Sequence, residues 1–247
     1  MDISGKVTPS LHPDYLKGKL EEAGIMDDTT LSNTAQAITT FSEAYEALRE
    51  IHEAREAAAR NPAWTEAAQT LNVAAFAEKK QASVLPKFEA VLKNLNTIAR
   101  SIEAELLNPV QQQAGIGTLN EEVRRHVNAM PDLGKRIAFI RDAIKSGDTL
   151  TATAVLGAPY YLSGLGADIH QELLRGFHES QNPLAVKRLT AARVCIDHIE
   201  NNAPLFLTGV TKAVGADWRK VQEMRKGDNQ ARAKLGMAAR SAAVKLI

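Results

Sequence analysis

The chain is predicted to be all-α, a long antiparallel helical hairpin followed by a smaller multi-helix body. Three observations carry this. Two alanine-rich segments, 31–60 and 63–107, keep apolar residues at steps of three and four, the period of one helical face. No segment sustains the apolar–polar alternation of a half-buried strand. Aromatics make up only 5% of a chain that is 45% hydrophobic, and small side chains suit close helix packing.

Residues 1–30 carry Gly5, Pro9, Pro13, Gly18 and Gly24 with little periodicity. They read as an extended N-terminal arm with at most a short helix over 14–22. Asp27, Asp28, Thr29 and Thr30 then supply N-cap chemistry, because short polar side chains accept from the free amides of a first turn. In the first hairpin arm Ile38, Phe41, Tyr45, Leu48 and Ile51 form one face, with Glu43, Glu46, Arg49, Glu50 and Glu53 opposite. Arg60-Asn61-Pro62 ends it, since the residue before proline is pushed out of the helical region.

The return arm starts at Pro62, and Pro86 is expected to kink or split it. Its second half is the cleaner seam. Phe88, Leu92, Leu95, Ile98 and Ile102 repeat at coiled-coil spacing, which makes them the candidate partner-packing residues. Periodicity alone does not separate an extended hairpin from a compact bundle. Asn108-Pro109 is expected to close the helix, and 111–117, polar and glycine-containing, is the best linker. The expected division is therefore an arm (1–30), a hairpin (31–108) and a C-terminal helical domain (118–247).

In that domain Thr118 and Glu121 match a capping box for a short helix to about residue 130. Leu133, Ile137, Ile140 and Ile144 mark a second helix ending at Ser146-Gly147. Asp148 caps a third carrying Leu150, Ala154 and Val155, stopped by Pro159, with Tyr160, Tyr161 and Leu162 packing the corner. Helices over 168–179 and 184–201 follow, the latter bounded by Asn202-Ala203-Pro204. Next come an apolar segment, 205–214, and a final helical stretch, 217–243.

Lys and Arg total 30 against 29 Asp and Glu, so global charge argues for neither nucleic acid nor acidic lipid. The chain has no run long and apolar enough for a membrane span. The start of the chain lacks the charged and apolar regions of a signal peptide. The single cysteine, Cys195, excludes an intrachain disulfide and fits a reducing compartment. A cytoplasmic protein is the expectation.

Catalytic text is sparse. The six histidines form no HExxH pattern. Neither Asp168-x-His170-x-Glu172 nor Cys195-x-Asp197-His198 places three or four ligands together, so no metal is expected. There is no GxSxG elbow, phosphate loop or dinucleotide fingerprint, so neither a cofactor nor an enzyme is expected. The charged text lies at the end of the chain. From residue 217 onward Arg219, Lys220, Arg225, Lys226, Arg232, Lys234, Arg240 and Lys245 stand against Asp217, Glu223 and Asp228. All but Lys245 of these basic residues are the candidate contacts to phosphates or an acidic partner, and any such contact would be electrostatic and salt-sensitive. The same residues also suit a solvated helix end.

The stretch from Gly147-Asp148 through Ala154-Val155-Leu156-Gly157-Ala158-Pro159 to Tyr161-Leu162-Ser163-Gly164-Leu165 resembles a segment of helical proteins encoded by tailed bacteriophages and prophages. The resemblance spans residues 143–165. It implies a phage context, in host cytoplasm and virion, where helical proteins of this size serve as virion or assembly components with protein partners, self-association among them. A helix-turn-helix DNA reader is disfavoured here, because 150–156 carries no Arg, Lys, Asn or Gln to reach base edges.

Overall fold

A computed structural model describes residue 3 and residues 5–244, with side chains described as far as residue 236. All regular structure among the described residues is helical. The main helices are α1 (Pro13–Glu22), α2 (Asp28–Ala59), α3 (Glu66–Ala114), α4 (Thr118–Ala129), α5 (Leu133–Ser146), α6 (Thr149–Leu156), α7 (Ala167–Gln181), α8 (Pro183–Val214) and α9 (Trp218–Val244). Short 3-10 turns cover Pro9–Leu11 and Tyr160–Ser163.

Local chemistry explains most boundaries. Asp27 accepts from the Thr29 amide at 3.0 Å while its own amide donates to the Thr30 hydroxyl at 3.2 Å, a reciprocal cap on α2. Asn61 accepts from the Ala63 amide at 3.0 Å in the turn between α2 and α3. Asp132 and Asp148 cap α5 and α6 through the Gly134 and Thr151 amides, at 2.6 and 3.0 Å. Gly147, between them, takes the left-handed conformation (φ 75°) that ends a helix without a Cβ penalty.

Two prolines expected to end helices do not, and a third, expected to kink or split one, leaves it unsplit. Pro86 and Pro109 both lie inside α3, and Pro204 lies inside α8. An interior proline loses one hydrogen bond and clashes with the preceding turn, costing roughly 3 kcal/mol. Buried side chains on both sides offset that cost. Val84 and Phe88 flank Pro86, Leu106 and Val110 flank Pro109, and Ile199 and Phe206 flank Pro204. The expected linker shrinks in the same way, because α3 continues to the buried Ala114 and only Gly115, Ile116 and Gly117 separate it from α4. Thr118 starts α4 as its first helical residue; Gly117 takes the cap position with no side-chain bond.

Contacts divide the chain into two compact units. Unit 1 comprises residues 1–22, 35–93 and 195–247; unit 2 comprises 23–34 and 94–194. This division crosses the expected segments 1–30, 31–108 and 118–247, because α3 and α8 each supply residues to both units.

In unit 1, α2 and α3 run antiparallel. Glu43 pairs with Lys87 and Glu50 with Lys80, and the Phe41 and Phe88 rings meet edge-on at 5.1 Å. The hairpin is part of a bundle rather than extended. Phe206 of α8 packs near Phe88 (6.2 Å), and Gly209 lies so close to Leu48 that a Cβ there would stand 3.2 Å from its methyls. The expected free arm is packed as well: Ile3, Val7, Leu11, Leu16 and Leu20 are all buried. Their irregular spacing hid them, since the 3-10 turn and the bend before α1 bring them to one side only in three dimensions.

Unit 2 is built around α6, whose residues from Thr151 to Leu156 are all buried. Its core joins Val110, Val127, Ile140, Val155, Leu156 and Phe177. Gly157 lies directly against the Val110 carbonyl and the Ala114 methyl, with no room for a Cβ. Tyr160, Tyr161 and Leu162 do not pack the corner as expected. They are 43%, 64% and 44% exposed, and it is Ser163 and Leu165 that turn inward.

Candidate interaction surface

The basic final segment is a helix that begins firmly anchored. Gly215 takes φ 78° at the end of α8, against the Arg55 guanidinium. Asp217 accepts from the Arg219 amide at 2.7 Å and starts α9. The Trp218 indole donates to the Thr211 hydroxyl at 3.1 Å, and Val221 is fully buried. Arg225 then forms a two-pronged pair with Glu78 of α3, both contacts at 3.0 Å, which holds its guanidinium more firmly protonated than usual.

Beyond that pair the packing stops. Residues 229–236 are all exposed, and Leu235 is 70% exposed although its spacing continues the face of Val221, Met224 and Asp228. The helix therefore carries its core-facing seam past the surface it packs on.

The basic residues sort accordingly. Arg225 is neutralised by Glu78, and Arg232 pairs with Asp228 one turn earlier at 2.7 Å. Arg219, Lys220, Lys226 and Lys234 are exposed and make no ion pair among the described residues. The Arg240 side chain lies outside the described residues.

The seam singled out for partner packing is internal. Phe88, Leu95 and Ile102 are buried at 3%, 1% and 3% exposure, and Leu92 and Ile98 are half-buried. Phe88, Leu95 and Ile102 are covered by the chain's own packing and are closed to a partner in this fold, while Leu92 and Ile98 keep part of their surface. Sequence periodicity marks a buried face but not what buries it.

Two open grooves have polar walls. One, of 520 Å³ between α2 and α3, includes Ser42, Glu43, Glu46, Glu50, Lys80 and Lys87, and the Lys80–Glu50 and Lys87–Glu43 pairs cross it. Ser42 is occupied by the Ile38 carbonyl at 3.1 Å. The other, of 340 Å³ between α5 and α7, holds Arg141 paired with Glu172 at 2.7 Å, with Lys145, Arg175 and Glu179 nearby. Cys195 is fully buried, and burial pushes its thiol up to about 12, far from a reactive thiolate. Among the described residues no three His, Cys, Asp or Glu side chains gather as a metal site, and no helix is long and apolar enough to cross a membrane.

The histidines missed as a structural group are His52, His170 and His198. Each is buried, each has Nε2 without a hydrogen-bond partner, and desolvation lowers the pKa of each. Nothing in their sequence spacing signals this, because the environments come from distant segments. No protein-family model, curated protein or solved structure matches the chain.

Proposed function

We propose that this chain is a non-enzymatic helical structural or assembly protein, in a phage virion or assembly setting, that acts through protein–protein contacts including self-association. The observation that carries the reading is α9, anchored by Trp218, Val221 and Arg225 and then exposed on every side from 229 to 236. An isolated helix of this length is marginal in water, and most helical stability in proteins comes from tertiary packing. A partner lying along Ala231 and Leu235 would supply that packing. The phage setting rests on the resemblance of residues 143–165. The test is light scattering at rising concentration together with recovery from virions or host lysate, comparing the intact chain with Leu235→Asp. Concentration-dependent association, or a partner recovered by the intact chain and lost with L235D, supports the reading. A sharp monomer that recovers no partner overturns it.

A second reading is favoured by a separate observation: Arg219, Lys220, Lys226 and Lys234 are exposed and make no ion pair among the described residues. On this reading α9 contacts phosphates of nucleic acid without sequence preference, and affinity falls steeply with salt. Lys226→Glu with Lys234→Glu should weaken DNA and RNA binding across a salt series. Unchanged affinity, or none in the parent chain at low salt, removes this reading.

A further inference from the structure

The N-terminal segment closes over the buried His198 of unit 1. Leu11, Leu16 and Leu20 are fully buried in this closure, and Lys6 ties it to Glu56 of α2 at 3.4 Å. Beneath it the His198 ring stacks on Tyr15 of α1 (5.8 Å) and tilts against Phe41 of α2 (4.6 Å).

The polar surroundings of His198 disfavour the charged ring. Its Nδ1 lies 3.1 Å from the Asn202 side-chain nitrogen, which also donates to the His198 carbonyl at 2.7 Å. Turning the amide over would set its oxygen against that carbonyl, so the nitrogen must stay and Nδ1 must accept. A proton on Nδ1 would then face an N–H donor. The groups around the ring offer no compensating carboxylate: α1 presents Tyr15 and Lys19, the 3-10 turn presents the Ser10 backbone, α2 presents Phe41 and α8 presents Asn202. Lys19 opposes protonation and the Ser10 backbone favours it. His52 of α2 is coupled to the same segment through Lys6: burial, Lys6 and Arg55 oppose its protonation, and Glu56, already tied to Lys6, favours it.

We propose that residues 5–22 form an acid-released strap, docked on α2 and α8 while His198 and His52 are neutral and lifted when those rings take up protons. Lifting uncovers the apolar surface around Phe41 and the sites of Leu11, Leu16 and Leu20.

The direction follows from linkage. Burial, with Lys19 adding to it, takes docked His198 down to about 4, whereas a freely solvated histidine titrates near 6.5. Between those values the lifted state binds the proton and the docked state does not, so docking is complete above the upper value and weakens as pH falls towards the lower. For His198 alone, lowering the pH from 7.5 to 5 favours lifting about 30-fold. His52 acts in the same direction.

Hydrogen exchange of the full chain at pH 7.5 and 5, corrected for intrinsic rates, reads the strap peptides against those of α2 and α3. The expected result is a rise of at least about 30-fold in strap opening, with α2 and α3 protection unchanged and the response cut sharply in His198→Phe. A ring titration by NMR on the unmodified chain covers the case in which that variant fails to fold; the expected result is a His198 ring that stays neutral at pH 5.5 in the docked state. Strap protection equal at both pH values, a full response in H198F, a docked ring already charged at pH 5.5, or α2 and α3 opening in step with the strap would each overturn the proposal.

Discussion

The two units hold their helices in different ways. Unit 1 is made mostly of stretches from the interior of long helices, and it closes with side chains that meet midway along them. Phe41, Phe88, Phe206 and His198 pack ring against ring, while Glu43–Lys87, Glu50–Lys80 and Glu78–Arg225 bridge neighbouring helices. Unit 2 contains four short helices and therefore many ends, each with unsatisfied backbone groups. It closes with side chains that reach those ends. Arg124 donates to the carbonyls of Ala114 and Ala154 at 3.2 and 2.9 Å, and Asn120 to those of Gln113 and Ile116 at 2.6 and 2.8 Å. Arg136 donates to Met130, Asn128 and Gly164, at 2.8, 3.1 and 2.7 Å. Polar residues that resemble ordinary surface in the sequence are thus the fasteners of unit 2, whereas in unit 1 the rings carry most of the closure.

Breaking one unit at a time sharpens this contrast. The largest effect is expected for Phe41→Ala, which removes a fully buried ring that meets both Phe88 and His198. A loss of about 3–5 kcal/mol is expected in unit 1. Urea denaturation followed by tryptophan fluorescence measures it, since Trp64 and Trp218 both belong to unit 1. In unit 2, Arg124→Ala leaves the Ala114 and Ala154 carbonyls without that donor, and about 2–4 kcal/mol should be lost. Hydrogen exchange on α4 and α6 peptides should show that loss. An arginine without effect would mean that helix ends do not organise this unit. The smallest effect belongs to Glu78→Gln. Its pair with Arg225 is roughly a third exposed on each side, so only about 0.2–1 kcal/mol is expected, fading as salt is raised. Thermal melts at low and high salt measure it; a larger, salt-independent loss would place ion pairs on a level with rings in unit 1.

Legibility in the sequence followed the range of the interactions involved. Helical periodicity and the caps at Asp27 and Asp148 act within a few residues, and the corresponding helices lie where those signals put them. Proline was read by the same local logic, and wherever that logic expected a helix to end or split it failed. At Pro86, Pro109 and Pro204 the local preference is a few kcal/mol, while the buried residues on either side belong to cores assembled from distant segments. The corner at Tyr160, Tyr161 and Leu162 failed in the opposite direction, because three consecutive residues of a 3-10 turn point three ways and only what lies beside the turn decides which is covered. In the candidate surface, the basic composition of α9 was plain in the text. Which cations remain free was not, since Arg225 is neutralised by a residue 147 positions away.

By itself, then, the sequence determined an all-α chain, the period and facing of its helices and most of their capped ends, because those depend on spacing and on bonds between near neighbours. Tertiary structure alone decided that most of the hairpin seam is consumed internally, that residues 5–22 are packed over His198, and that α9 outruns the surface it is anchored to. Each of those depends on apolar area and charge brought together from far along the chain, and burial by a distant segment leaves no mark on local spacing.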